Sequence, residues 1–148
     1  MQCVVLKLRD NGRAYFPAEK RYDGKLITLA SFLTDAIGYS KDSIEKRIDF
    51  INNPHRDSIS INYNFLEKYN GKILLGCDLD FLDDKVDFEE AYEKAYENTL
   101  EFQPQQLIDI LNSWHELCSR KPEEIIITQD DNNNITLEGR NFPKPLNE

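Results

Sequence analysis

The sequence predicts an α+β fold: a mainly antiparallel sheet of roughly six or seven strands built from hairpins, with three or four helices packed on it. Three observations carry that expectation. Pro104–Gly139 reads as one long amphipathic helix running directly into a hairpin. Asn-Gly pairs at Asn11-Gly12 and Asn70-Gly71 mark two further hairpins, because that dipeptide supplies the positive φ a tight primed turn requires. Finally, strand-like and helix-like stretches do not alternate as a parallel sheet of βαβ units demands.

Taken in order, Gln2–Arg9 is a predicted strand, Asp10-Asn11-Gly12 its turn and Arg13–Phe16 the return. Pro17–Gly24 is polar and reads as loop. Leu29, Phe32, Leu33, Ala36 and Ile37 fall at helical spacing within Leu26–Ile37, which Gly38 ends. A second helix starts near Ser40 or Asp42, where Asp42 and Glu45 have capping-box spacing; Ile44, Ile48 and Ile51 stripe it, and Asn52-Asn53-Pro54 ends it. Ser58–Phe65 alternates as one half-buried strand, with Ile59, Ile61, Tyr63 and Phe65 on its apolar face. Leu66–Tyr69 either extends that strand or forms a turn of helix, and Lys72–Leu79 is the partner strand. Asp80–Asp87 is an acidic loop. Phe88, Ala91, Tyr92, Ala95 and Tyr96 predict a short helix, and Asn98–Phe102 is a strand or the lead-in to the next helix.

That helix carries the core stripe. Leu107, Ile110, Leu111, Trp114, Leu117 and Cys118 fall on an arc of about 120° at 100° per residue. Pro104 suits the first turn, where a missing N–H costs nothing, and Pro122 halts the helix. Glu124–Gln129, a turn at Asp130–Asn134 and Ile135–Glu138 complete the hairpin. Trp114, the single tryptophan, is expected to be buried against the sheet containing Ile125, Ile127, Ile135 and Leu137.

A chain of 148 residues fits a single domain, residues 1–148, with a loose C-terminal tail over about 140–148. Its 40% hydrophobic content excludes a disordered chain. A formal charge of −9 disfavours nucleic acid and favours basic partners. The N-terminus lacks the basic region and cleavage motif of a signal peptide, and no apolar run reaches the ~20 residues that span a bilayer. Cys3, Cys77 and Cys118 have no framework spacing, which fits free thiols in a reducing compartment. A cytoplasmic protein is expected.

The most conspicuous polar feature is Asp78–Glu101, with ten carboxylates against Lys85 and Lys94. Such a density can steer a basic partner into place, and tyrosines among the acids would add rigid contact area. A solvated surface that aids solubility explains the same charges. Neither acidic stretch meets the EF-hand rules. From Asp78 the sixth position is Asp83 and the fifth Leu82; from Asp130 the sixth is Ile135 and the twelfth Asn141. His115 and Cys118 lie one helical turn apart, but Cys118 belongs to the apolar stripe, and a small buried hydrophobe explains it better than a thiolate does. Cys3 and Cys77, inside strands, are expected in the core. His55 has no acidic orienter nearby in sequence. No catalytic residue, metal or cofactor is expected from these patterns.

The run Leu107–Leu111, Trp114, Leu117-Cys118, Lys121-Pro122, Glu124–Ile127 and Ile135–Gly139 resembles the C-terminal part of small acidic proteins encoded beside bacterial polymorphic toxins, including immunity proteins of contact-dependent growth inhibition systems. The resemblance covers about a quarter of the chain and carries no catalytic signature. It implies a non-enzymatic protein that binds and neutralises a cognate toxin domain, a basic nuclease being the type whose charge fits. On that reading the partner-binding face is Asp78, Asp80, Asp83, Asp84, Asp87, Glu89, Glu90, Tyr92, Glu93 and Tyr96, with an exposed strand edge as a second route. A regulatory or adaptor module for a basic cytosolic protein unrelated to toxins is the alternative. An enzyme working through Asp/Glu acid–base chemistry is the third class.

Overall fold

Period-two alternation along Gln2–Leu8 sends Val4 and Leu6 into the core and leaves Cys3 and Lys7 exposed, making strand β1. Cys3 therefore departs from the core position expected for it, because its neighbours Val4 and Leu6 take the inner face. The structure, a computed structural model, describes residues 2–11, 13–17, 25–38, 40–61, 64–77 and 99–141. Strand β2 is short, Ala14–Tyr15, and pairs antiparallel with the end of β1. The hairpin formed by β7 (Glu124–Gln129) and β8 (Ile135–Arg140) joins on the other side of β1, giving a four-stranded antiparallel sheet in the order β2-β1-β7-β8. Its register aligns Val4, Ile127 and Leu137 in one row and Leu6, Ile125 and Gly139 in the next. Val4, Leu6, Ile125 and Ile127 are buried there, and Leu137 packs on them partly buried.

A second antiparallel sheet, rather than an extension of the first, takes the remaining strands in the order β3-β4-β5-β6: Ser58–Ile61, Asn64–Tyr69, Lys72–Cys77 and Leu100–Phe102. The α+β class and the antiparallel pairing hold; the strands number eight and divide between two sheets among the described residues. The predicted single strand Ser58–Phe65 is two strands in a hairpin, with Ile61 paired to Asn64. Reversal there moves Asn64 and Leu66 onto the face shared with Ile59 and Ile61, so Phe65 lies on the opposite face. Leu66–Tyr69 extends the strand. At the β4–β5 turn Asn70 and Gly71 have φ of 50° and 78°, as a primed Asn-Gly turn requires. Ile59, Leu66, Leu75 and Leu100 are in register across all four strands, with Ile73 and Phe102 beside them.

Three helices among the described residues close the core. Helix α1, Lys25–Ser31, continues without a break into a π-helical segment, Phe32–Ile37, that ends with the Gly38 N–H donating to the Leu33 carbonyl. This element packs against β1 and β7 of one sheet and β5 and β6 of the other. Leu26, Leu29, Ala30, Phe32, Leu33 and Ile37 are all buried, as befits a helix between two sheets. Helix α2 is Lys41–Asn52, and its N-cap is Ser40, whose hydroxyl accepts from the Ser43 N–H at 3.5 Å. Asp42 and Glu45 instead pair with Lys46 and Lys41 on the exposed face. Helix α3, Pro104–Arg120, packs against α2, β8 and β5. Trp114 is fully buried, and its indole Nε1–H donates to the Gly38 carbonyl at 2.7 Å, which fastens α3 to the end of the π-helical segment. Lys121 caps the helix in the left-handed conformation, φ 50°, just before Pro122. No helix among the described residues is long and apolar enough to cross a membrane.

Candidate functional site

The acidic segment enters the structure through its ends. Asp78, Asp80, Asp83, Asp84, Asp87, Glu89, Glu90, Tyr92, Glu93 and Tyr96 lie outside the described residues, as does the helix predicted over Phe88–Tyr96. The strands on either side are described. Chain leaves the second sheet at Cys77, the end of β5, and returns at Leu100, the start of β6; Leu75 and Leu100 are direct partners. Both attachment points therefore sit at one end of one antiparallel strand pair. Glu101, the last of the ten acids, lies on β6, exposed, with one oxygen 3.4 Å from Lys72 Nζ. The predicted electrostatic face thus lies, in sequence, between two strands that are hydrogen-bonded neighbours.

Among the described residues, positive charge gathers beside helix α2. The α2–β3 connection turns at Asn53, whose side-chain oxygen accepts from the His55 N–H at 2.9 Å. Lys68 on β4 donates to the Asn53 carbonyl and places its ammonium 4.6 Å from the centre of the Phe50 ring. Arg56 approaches the same ring at 5.9 Å. Between α2, this turn and β3 lies a cleft of about 430 Å³ lined by Lys46, Arg47, Asp49, Arg56, Ile59 and Ser60, among others. Lys46 pairs with Asp42 at 3.1 Å. Arg47 and Arg56 have no ion-pair partner among the described residues. The Arg47 Nε is buried without a hydrogen-bond partner among those residues. Burial, and then the positive charge of Arg56, push Arg47 below the usual guanidinium range. The sequence held a signal for this cleft in Lys46, Arg47 and Arg56, close together in an acidic chain. Only folding shows that Arg47 and Arg56 converge, since the chain turns between them.

Cys118 and Asp130 have structural surroundings. Cys118 is buried, and desolvation pushes its thiol up to about 12, far from the thiolate that nucleophilic chemistry needs. Asp130 accepts from the backbone N–H of Asn132 and of Asn134, each at 2.9 Å, which builds the β7–β8 turn. These bonds, that from Asn134 foremost, hold its carboxyl below the usual carboxylate range. Among the described residues no three His, Cys, Asp or Glu side chains come together as a metal site. No family model, no curated protein and no solved structure matches the chain.

Proposed function

We propose that this chain is an immunity-type inhibitor, which binds a basic bacterial toxin domain and blocks its substrate-binding surface. The observation that carries the reading is the set of ten carboxylates against two lysines over Asp78–Glu101, on a connection attached at both ends to neighbouring strands. Nuclease substrate sites are basic because they accept phosphates, and an acidic segment complements them in charge. The resemblance of the C-terminal helix and hairpin to immunity proteins names the class of partner. Strand edges supply a second contact route, since β3 and β8 each have one side unpaired by any strand among the described residues.

Reversal of Asp83, Asp84, Glu89 and Glu90 to Lys tests the reading against the toxin domain encoded by the neighbouring gene. Association should slow by roughly tenfold or more at low salt and lose most of its salt dependence, while dissociation changes less. Cells expressing the toxin should lose protection. If the reversed protein binds and protects as well as the parent, the acidic segment is a solvated surface and this reading fails.

A further inference from the structure

The cleft between α2 and β3 is positive in a chain whose formal charge is −9. Arg47 feels the positive charge of Arg56, and among the described residues neither has an ion-pair partner and the buried Arg47 Nε–H has no hydrogen-bond partner. Placing like charges together and leaving a donor unsatisfied both cost stability, and a bound anion would offset both. We propose that this cleft binds a small phosphate monoester with a hydroxylated body, such as a sugar phosphate, its phosphate held between Arg47 and Arg56.

The class follows from the groups present. A guanidinium offers parallel N–H donors that match an oxyanion two at a time, and the free Arg47 Nε–H is one prong of that fork. Two guanidiniums call for two negative charges. A phosphate monoester supplies them near neutral pH from one tetrahedral group, whereas a single carboxylate leaves the pair half-neutralised. The volume, about 430 Å³, falls within the range of small-molecule sites and leaves room beyond one phosphate. The rest of the lining suits a body with hydroxyls. Asp49 repels an anion but accepts from a hydroxyl, and Ser60 both donates and accepts. Asp49 also disfavours a long polyanion such as a nucleic-acid strand. This inference does not rest on the toxin reading, because none of the cleft's described lining residues belongs to the acidic segment.

Calorimetric titration of the intact protein with ribose 5-phosphate, inorganic phosphate, ribose, citrate and a glutamate-rich peptide decides it. Ribose 5-phosphate should bind, more tightly than inorganic phosphate, while ribose alone should not. Arg47→Gln and Arg56→Gln should each weaken binding roughly tenfold or more. Without ligand their melting temperatures should match or exceed the parent's, since each removes a like-charge contact. Arg56 is exposed, so Arg56→Gln keeps the experiment decisive even if Arg47→Gln fails to fold. Asp49→Asn should narrow the preference for ribose 5-phosphate over inorganic phosphate. Absence of binding at millimolar concentration, or binding that survives in the double Arg variant, overturns the proposal. Citrate binding as tightly as ribose 5-phosphate overturns the phosphate assignment. Binding of a glutamate-rich peptide in place of the sugar phosphate would assign the cleft to a protein partner and overturn the small-molecule site.

Discussion

Trp114 joins two kinds of stabilisation in one side chain: a large apolar volume with no exposure, and an indole N–H that satisfies the Gly38 carbonyl. Substitutions separate them. Trp114→Ala should destabilise the protein by ~3–5 kcal/mol through the cavity it leaves. Trp114→Phe keeps most of the apolar volume but orphans the carbonyl, and should cost ~1–3 kcal/mol. Urea denaturation measures both, and a Phe variant as stable as the parent would show that the Gly38 bond contributes nothing. The cysteines make a second contrast at this scale. Exposed Cys3 should react at once with a thiol reagent in the native protein, whereas Cys118 should wait for unfolding. Burial raises the folded-state thiol from its ordinary value of 9.0 to about 12. Above the lower value the unfolded chain releases a proton that the folded chain retains. The Cys118 contribution is therefore complete below pH 9.0 and is lost as pH rises toward about 12. Relative to Cys118→Ala, the parent should lose stability more steeply over that interval. Parallel slopes would mean the thiol titrates freely in the fold.

Among the elements, α3 and the β7–β8 hairpin were legible because their signals are local. The stripe from Leu107 to Cys118, the flanking prolines and the Asp130 turn all lie within the segment they shape. Two features escaped for the converse reason. The division at Ile61–Asn64 depends on which strand pairs with which, and alternation over Ser58–Phe65 reads the same whether or not the chain reverses within it. The burial of α1 on so many sides follows from two sheets packing against it, which its own periodicity does not announce. Phe65 shows what the reversal accomplishes. Facing away from Ile59, it lies opposite Gly76, where an added Cβ would sit 2.4 Å from the ring's Cζ and 3.0 Å from Thr99 Oγ1. Gly76→Ala should therefore displace the ring and cost ~1–3 kcal/mol, with part of that recovered in the double variant with Phe65→Ala. Strictly additive losses in chemical denaturation would deny the contact. The α3 C-cap is open to improvement. Lys121 holds a left-handed conformation that glycine adopts without a Cβ penalty, so Lys121→Gly should stabilise by ~0.5–1 kcal/mol.

Across the whole molecule, charge is distributed against the fold's own stability. A net −9 on 148 residues, much of it concentrated between β5 and β6, opposes the compact state through self-repulsion. The described ion pairs, Lys41–Glu45, Asp42–Lys46, Lys72–Glu101 and Glu116–Arg120, are exposed and contribute little each. Added salt therefore screens more repulsion than attraction, and the folding stability of the parent should rise between about 0.02 and 0.5 M NaCl. Neutralising Asp83, Asp84, Glu89 and Glu90 to Asn or Gln should raise stability at low salt and flatten that rise. The denaturant slope should stay constant, because near-isosteric exchanges leave the surface that unfolding uncovers almost unchanged. This measurement needs no partner, so it is independent of any toxin. A parent whose stability falls with salt, or a neutralised variant with an undiminished salt response, would mean that the acids are compensated within the fold. They would then be unavailable as an electrostatic face for any basic partner.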